Sequence, residues 1–472
     1  MKKILFISVV ILPFVLSSCK ENPANPNIPP NTVLTNIPPE NDSTNPYFPI
    51  LEIHWKGEDA DGFIKGYEYR YITKHLCRGD SFYTSWMFTA AGHDTIIFES
   101  SDTLNLQRFM VRAVDNDGDY DPSPAERLFY TPLVVAPETE ILSPQDGDTF
   151  FALPSVSDWW EGIPFMFTGY DPDPGGVVVD YSYKVDSNPW SDWQTDTSVI
   201  LVPSHFDSLS GPHTIKVKSR DNTGIEDPTP AEIEIVLLLP NMEKSVLLVD
   251  DTRDGTGSLE NPTDEEVDGF YASILDGYEY DEWDLSDSTL TKNALANYRI
   301  LFWHADHKQD HRLSRYTNLI QEYLSVGGRL FLGGWRVLFN LREEGQNFPL
   351  EYAPGNFVYD YLHIRWADEN GDFMGDFLGT TGVCSLAVDA LKLSAFRTAF
   401  PNAFVLLEGA FTEPILYYKS LAEDPEFEEK PCGIFYRGTV YDVVFLGFPL
   451  YYIEENDARE FVDIILAELL GG

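Results

Sequence analysis

Two stretches of this chain repeat each other, and a duplicated pattern constrains the fold more than any local propensity, because both copies must satisfy one architecture. Trp55-Lys56-Gly57-Glu58-Asp59-Ala60-Asp61-Gly62, followed by Gly66-Tyr67-Glu68-Tyr69, recurs as Phe167-Thr168-Gly169-Tyr170-Asp171-Pro172-Asp173-Pro174, followed by Asp180-Tyr181-Ser182-Tyr183. Farther on, Val111-Arg112-Ala113-Val114-Asp115-Asn116 leads to Asp121-Pro122-Ser123-Pro124, and Val217-Lys218-Ser219-Arg220-Asp221-Asn222 leads to Asp227-Pro228-Thr229-Pro230. Each copy also carries a tryptophan between its motifs, Trp86 in one and Trp193 in the other.

Within each copy short runs alternate apolar and polar residues, as in Leu51-Glu52-Ile53-His54-Trp55 and Thr214-Ile215-Lys216-Val217-Lys218, with Gly, Asp or Pro clusters between them. That is the pattern of half-buried antiparallel strands, and about a hundred residues per copy without a helical period predicts an all-β sandwich. The motifs resemble fibronectin type III and related immunoglobulin-like modules. The resemblance covers residues 32–133, with a core from about 47, and residues 134–240; it implies spacing and partner binding, and no chemistry. If the two motifs are the B to C and F to G corners, their loops share one end of the sandwich. Asp59 and Asp61 then approach Asp115, Asp117, Asp119 and Asp121, a candidate calcium site, since calcium takes several hard oxygen ligands. The alternative is that these Asp-Gly and Asp-Asn pairs only build tight turns.

From residue 243 to 472 strands alternate with helices. Ser245 to Asp251 reads as a buried strand ending in two carboxylates, the stretch around Glu265 to Leu275 as an amphipathic helix, and strands follow at Tyr280 to Leu285, Arg299 to Trp303 and Gly328 to Leu332. A helix from Leu313 to Leu324, a closing segment Gly433 to Phe448 and a helix from Asn456 to Leu470 complete an α/β doubly wound, flavodoxin-like domain with a parallel sheet and an irregular insertion from Arg342 to Phe411. Gly327-Gly328-Arg329-Leu330-Phe331-Leu332-Gly333-Gly334 and Phe445-Leu446-Gly447-Phe448-Pro449-Leu450 resemble the strands that lead into the catalytic elements of class I glutamine amidotransferases. Where that family has its cysteine this chain has Gly334 and Trp335, and where it has His and Glu this chain has Phe448 and Leu450. A nucleophile and its base act as a unit, so the resemblance implies the scaffold without its chemistry.

In an open α/β sheet of order 2-1-3-4-5, ligands sit beyond the carboxyl ends of strands one and three. That places a candidate ligand crevice at Asp250, Asp251, His304, Asp306 and His307, in a stretch that continues through Asp310 and His311; imidazoles and carboxylates at this density can hold zinc or a similar divalent metal or hydrogen-bond a polar ligand, the alternative being a solvated polar loop that binds nothing. Val-Asp-Asp also resembles a response-regulator receiver, but no aspartate ends the third strand and no lysine-proline follows the last.

The amino terminus sets the location. Met1-Lys2-Lys3, an apolar run from Ile4 to Leu16 and then Ser17-Ser18-Cys19 combine a basic start, an apolar run too short to span a bilayer and a small-residue cleavage point. They resemble a bacterial lipoprotein signal (residues 1–18), which implies lipidation of Cys19 and a membrane anchor in the cell envelope; Lys20 points to the outer membrane by the same resemblance. Residues 19–46, rich in proline and asparagine, read as a tether. The formal net charge of −44, from 76 acidic against 32 basic residues, argues against nucleic acid as a partner and leaves an envelope or extracellular protein or glycan. Three cysteines besides Cys19 make no disulfide framework, though Cys384 and Cys432 can pair in an oxidising compartment. Gly-x-Ser-x-Gly, His-Glu-x-x-His and a Gly-rich phosphate loop are absent from the sequence. The expectation is therefore a non-catalytic binding or assembly component, its rival a hydrolase working in the α/β crevice.

Overall fold

The computed structural model describes residues 26–253, 262–307, 311–370, 376–395, 402–406, 411–421 and 426–471. The segment read as an export signal (residues 1–18), Cys19, Lys20 and Asp310 lie outside the described residues. The chain divides into two compact units, one holding the chain through Glu138 with Tyr170–Val179 and Arg220–Asp227, the other Thr139–Gly169, Asp180–Ser219 and Pro228–Gly472.

The first unit contains a sandwich of β1 (Asn31–Asn36), β2 (Ile50–Glu58), β3 (Ile64–His75), β4 (Ser81–Tyr83), β5 (Met87–Thr89), β6 (His93–Ile97), β7 (Leu104–Asp115) and β8 (Ala125–Pro132). One sheet runs β1-β2-β6 and the other β4-β3-β7-β8, with β5 also on β3, an immunoglobulin-like order. The inward residues Ile53, Trp55, Phe98, Phe109, Val111 and Phe129 form the core, as the alternation along the strands requires. Strand β1 lies within the segment read as a tether. Flanking prolines and asparagines hide its six-residue run, which is secured by Thr32: its N–H donates to Asp121 at 2.7 Å and its Oγ1 accepts the N–H of Ala113 at 2.7 Å.

His75, buried near the far end of β3, contacts Glu99 through Nε2 at 2.5 Å and Asp80 through Nδ1 at 2.6 Å. The bond to Glu99, helped by that to Asp80, outweighs burial and raises its pKa above the ordinary histidine value. A pKa raised on folding gives stability that is full below the unfolded value and lost as pH rises through the folded one. Thermal stability of this unit should therefore fall between pH 6 and pH 8.5, and His75→Gln should flatten that slope; an equal slope in the variant would remove His75 as its cause.

The second copy repeats the plan with β9 (Glu138–Ser143), β10 (Thr149–Phe151), β11 (Ile163–Tyr170), β12 (Val178–Val185), β13 (Ser198–Leu201), β14 (Gly211–Asp221) and β15 (Ala231–Leu238), in sheets β13-β11-β9 and β10-β15-β14-β12. The repeated tryptophans do equivalent work. Arg112 lies 4.3 Å over the Trp86 ring, and Lys218, its counterpart, 5.2 Å over Trp193.

Beyond it follow β16 (Lys244–Asp250), α1 (Asp264–Ile274), β17 (Tyr280–Asp284), α2 (Lys292–Leu295), β18 (Tyr298–Ala305), α3 (Thr317–Ser325), β19 (Arg329–Gly334), α4 (Val337–Asn340), β20 (Leu350–Glu351), α5 (Phe357–Asp360), β21 (Ile364–Glu369), β22 (Phe377–Gly382), β23 (Leu386–Ala387), α6 (Ala390–Ala395), β24 (Asn402–Leu406), β25 (Thr412–Ser420), β26 (Pro431–Arg437), β27 (Asp442–Leu446) and α7 (Glu455–Gly471). They build a nine-stranded sheet of order β17-β16-β18-β19-β27-β26-β25-β22-β23. Alternate residues of its strands face opposite cores: Val246, Leu248, Ile300 and Phe302 pack with Phe270 of α1 and Phe461 of α7, while Leu247, Val249, Leu301 and Trp303 pack with Ile320 and Leu324 of α3.

The sheet is mixed, not parallel throughout as the sequence pattern predicts. Strands β17-β16-β18-β19-β27 are parallel, and β27-β26-β25-β22-β23 are antiparallel. The closing segment from Gly433 is a hairpin, because Gly438 folds it back: its N–H donates to Tyr441 O at 3.1 Å, and a Cβ there would lie 2.6 Å from that oxygen. The stretch read as an irregular insertion supplies β22 and β23 and a separate small sheet, β20-β21-β24.

Candidate functional site

Strand order reverses at β16, which has β17 on one side and β18 on the other. Register pairs Asp250 with His304 and, across the other edge, with Asp284, so the carboxyl ends of three strands lie side by side, where this architecture places its ligands. Asp250, Asp251, His304, Asp306 and His307 are all buried there, none more than 1% exposed. Burial of five ionisable side chains at the end of a sheet is costly unless they meet partners or a ligand.

They form two groups. His304 is the hub of the first: its Nε2 lies 3.5 Å from Asp250 Oδ1 and its Nδ1 3.4 Å from Asp306 Oδ2. Its ring stacks on Tyr271 with centroids 3.9 Å apart, and the Tyr271 hydroxyl donates to Asp306 Oδ2 at 2.8 Å. Asp306 Oδ1 accepts the N–H of Tyr451 at 3.3 Å, and Asp250 Oδ1 that of Thr252 at 2.7 Å. Burial alone would push the His304 imidazole down, but the carboxylates of Asp250, Asp306 and Asp268 outweigh it and hold it above its ordinary value. In the second group Asp251 Oδ2 accepts the N–H of Arg312 at 2.7 Å, and burial pushes its carboxyl up to about 7. Burial, with His311 and the nearby arginines, pushes His307 down to about 3, a neutral imidazole with its ring 5.5 Å from that of His311.

Helix α1 adds residues that the sequence pattern did not single out. Asp264 and Asp268, one turn apart, bring carboxylate oxygens within 4.8 Å of each other and of Asp250. Burial and then the neighbouring carboxylates of Asp250 and Asp264 push Asp268 up to about 7. The available signal was the spacing of these aspartates, Asp268 one turn and Asp264 two turns ahead of Tyr271.

The acidic loops of the first sandwich do meet. Asn116 Oδ1 accepts the N–H of Phe63 at 2.8 Å, and Gly62 packs so close that a Cβ would overlap Asn116 and Asp59. Their carboxylates, however, turn toward neighbouring backbone and amides. Asp115 Oδ1 accepts the N–H groups of Asp117, Gly118 and Asp119 at 2.7–2.9 Å, and its Oδ2 the amide of Asn27 at 2.7 Å. Asp119 also takes Asn27, Asp121 takes Thr32 and Ser123, Asp61 takes Ile28, Asp59 takes Asp61, and Asp117 takes the Asn116 amide. The second copy uses Asp221 in the same way, accepting from Thr223 and Ile225. Among the described residues, the gathered acidic ligand atoms are those of Asp250, Asp264 and Asp268.

At the end of β19 the chain turns sharply into α4. The left-handed residue of this corner is Arg336, at φ 48° and ψ 41°, one position beyond the Gly334 and Trp335 that the sequence comparison placed there. A non-glycine residue in this region costs energy and is held by its surroundings. Here the guanidinium grips Glu369, Nε to Oε2 at 2.7 Å, and covers the Phe339 ring at 3.7 Å. Phe448 and Leu450 are buried in the core. Burial pushes the Cys384 thiol up to about 11 and that of Cys432 well above the ordinary value. A separate cavity of about 530 Å³, lined by Trp366, Phe404 and Lys430 among others, contains none of the crevice residues.

No protein-family model matches the chain, and no curated protein matches it. Among solved structures it is similar to the fibronectin(III)-like modules of Clostridium thermocellum CbhA, at 16% identity over 44% of this chain and 94% of that one, with a TM-score of 0.21. It is also similar to the FN1–FN3 domains of chicken CNTN1, at 13% identity over 45% and 68% with a TM-score of 0.21. A β-galactosidase from the Antarctic haloarchaeon Halorubrum lacusprofundi matches at 16% identity over 48% of this chain and 30% of its own, with a TM-score of 0.32. At these scores the likeness carries no argument, and the sandwich architecture rests on the strand pairing itself.

Proposed function

We propose that this chain is a lipid-anchored component of a bacterial envelope, held through Cys19, that binds or assembles an extracytoplasmic protein or glycan. In this reading two fibronectin-like sandwiches carry an amidotransferase-like, flavodoxin-like scaffold that has lost its chemistry. The observation that carries the reading is the corner after β19: the residue at the strained position is Arg336, its guanidinium closed on Glu369, so no nucleophile is presented there. The high thiol pKa values of Cys384 and Cys432 support it, since a thiol must ionise to attack. Purified protein should release no ammonia from glutamine; release abolished by Cys384→Ser or Cys432→Ser would overturn the reading. The anchor has its own test. Cys19→Ala should move the body out of the membrane fraction or leave an uncleaved precursor, and a variant that fractionates and migrates like the parent would contradict it.

The rival reading, an extracytoplasmic hydrolase, draws on the buried grouping of Asp250, His304 and Asp306. It requires turnover of some ester, amide or glycoside that His304→Gln abolishes.

A further inference from the structure

The second compact unit contains a cleft of about 330 Å³ between helix α3 and the loop that follows β10, lined by the rings of Phe150, Trp159, Trp160 and Tyr361. Its size is that of a small-ligand pocket. The two tryptophans are consecutive and sit in a tight turn: the N–H of Ser157 donates to Trp160 O at 2.9 Å, and the N–H of Trp160 donates to Ser157 Oγ at 3.1 Å. Each indole is then fixed separately. That of Trp160 donates through Nε1 to Phe151 O at 3.0 Å, and that of Trp159 meets the Tyr441 ring edge-on with centroids 5.1 Å apart. Both remain partly exposed, so they offer apolar surface, and rings held in place beforehand lose little freedom when a ligand arrives.

The polar part of the wall sets the chemistry. Gln321 and Glu322 of α3 line the cleft, as does Ser325 one turn on. The Gln321 amide makes no hydrogen bond among the described residues, which leaves two donors and an acceptor to offer. Glu322 is balanced by Lys292 at 2.5 Å, and Lys292 in turn donates to Thr149 O at 2.6 Å and covers the Phe150 ring at 5.1 Å. No lysine or arginine is among the described lining residues, so an anion finds no partner there, and a cationic ligand would meet Lys292 already seated on an aromatic face. A wholly apolar ligand would strand Gln321 and Ser325 away from water. What fits is a neutral molecule with an apolar face for the indoles and hydroxyls at its edge for the amide, the serine and the carboxylate. A pyranose ring has that form.

We infer that this cleft is a binding subsite for an uncharged pyranose unit of a glycan, with Trp159 and Trp160 as its aromatic wall and Gln321 as the group that reads the sugar hydroxyls. The inference rests on the reading of the chain as a binding component and narrows the partner to a carbohydrate.

The test is isothermal titration calorimetry of the purified full chain with uncharged tetrasaccharides of β-1,4-linked glucose, β-1,4-linked N-acetylglucosamine and α-1,4-linked glucose, and with choline chloride as a cationic probe. Saturable binding of at least one tetrasaccharide, and none of choline, is expected. Gln321→Ala, a change at a partly exposed helical position, and Trp160→Ala should each weaken that binding about tenfold, while Trp366→Phe in the separate cavity of about 530 Å³ should leave it unchanged. Circular dichroism establishes that each variant is folded, and Gln321→Ala decides the matter should Trp160→Ala not fold. Binding of no tetrasaccharide, binding of choline in their place, or binding by Gln321→Ala as tight as the parent's overturns the inference. So does a folded Trp160→Ala that binds like the parent. Capture of a protein partner from the envelope by a chain that binds no tetrasaccharide overturns this subsite and leaves the binding reading standing.

Discussion

Tyr271→Ala is expected to destabilise the α/β region by about 3–5 kcal/mol, the usual cost of truncating a buried aromatic ring. Tyr271 is 1% exposed, lies face to face with His304 and meets Phe302 edge-on at 5.9 Å. Its removal leaves a cavity between α1 and the sheet and frees the imidazole that the stack holds in place. Tyr271→Phe separates the two contributions. The ring stays, but Asp306 Oδ2 loses a hydroxyl donor at 2.8 Å, which should cost about 1–3 kcal/mol because the acceptor is a buried carboxylate. Urea unfolding of both variants reads the difference directly; a Tyr271→Ala cost below about 1 kcal/mol would mean that the ring is not packed as described.

Trp55→Ala should be as severe in the first unit, about 3–5 kcal/mol. The indole sits at the centre of its core, 6.0 Å from the Phe109 ring and 6.1 Å from that of Tyr67, and its Nε1 donates to Ala91 O at 3.0 Å. Truncation opens a void and leaves that carbonyl without its donor. The repeat makes a matched comparison available. Phe167, its counterpart in the second copy, is 1% exposed and bears no polar atom, so Phe167→Ala should lose only the packing component. Calorimetry of the two variants should show each lowering the transition of its own unit; equal effects on one shared transition would refute the division into two units.

The sandwiches were legible because their strands alternate strictly and because two copies of one pattern had to agree. The shared tryptophans were visible too, but their role, covering Arg112 and Lys218, needed the strands to be placed side by side. Strand β1 was obscured because its six residues, Asn31 to Asn36, carry only Val33 and Leu34 as apolar side chains, side by side and without alternation, among prolines that look like linker. In the α/β region the apolar runs of β16, β18 and β19 announced themselves, whereas β22 and the β26–β27 hairpin lie in stretches broken by glycines in close turns, and β25 carries Pro414 near its start. The Asp250–His304 neighbourhood followed from strand order, since a parallel sheet aligns the ends of its strands. Asp264 and Asp268 did not follow from it. The amphipathic reading of α1 rests on Val267, Phe270, Tyr271 and Ile274; Asp264, in the first turn, ordinarily serves the helix dipole, and Asp268, one turn later, reads as part of the polar face. Arg336 was missed for a different reason: only backbone geometry reveals which residue of Gly-Trp-Arg takes the left-handed conformation.

The proposed account centres on a chain that binds in the envelope and does no thiol chemistry. The most direct measurement is co-purification from the native envelope with the mature chain as bait, run beside an ammonia-release assay on the same preparation. The account predicts a defined protein or glycan in stoichiometric amount, retained by the Cys384→Ser, Cys432→Ser double variant, and no ammonia from glutamine. A chain recovered alone that turns over glutamine, with the activity lost in the double variant, would contradict it.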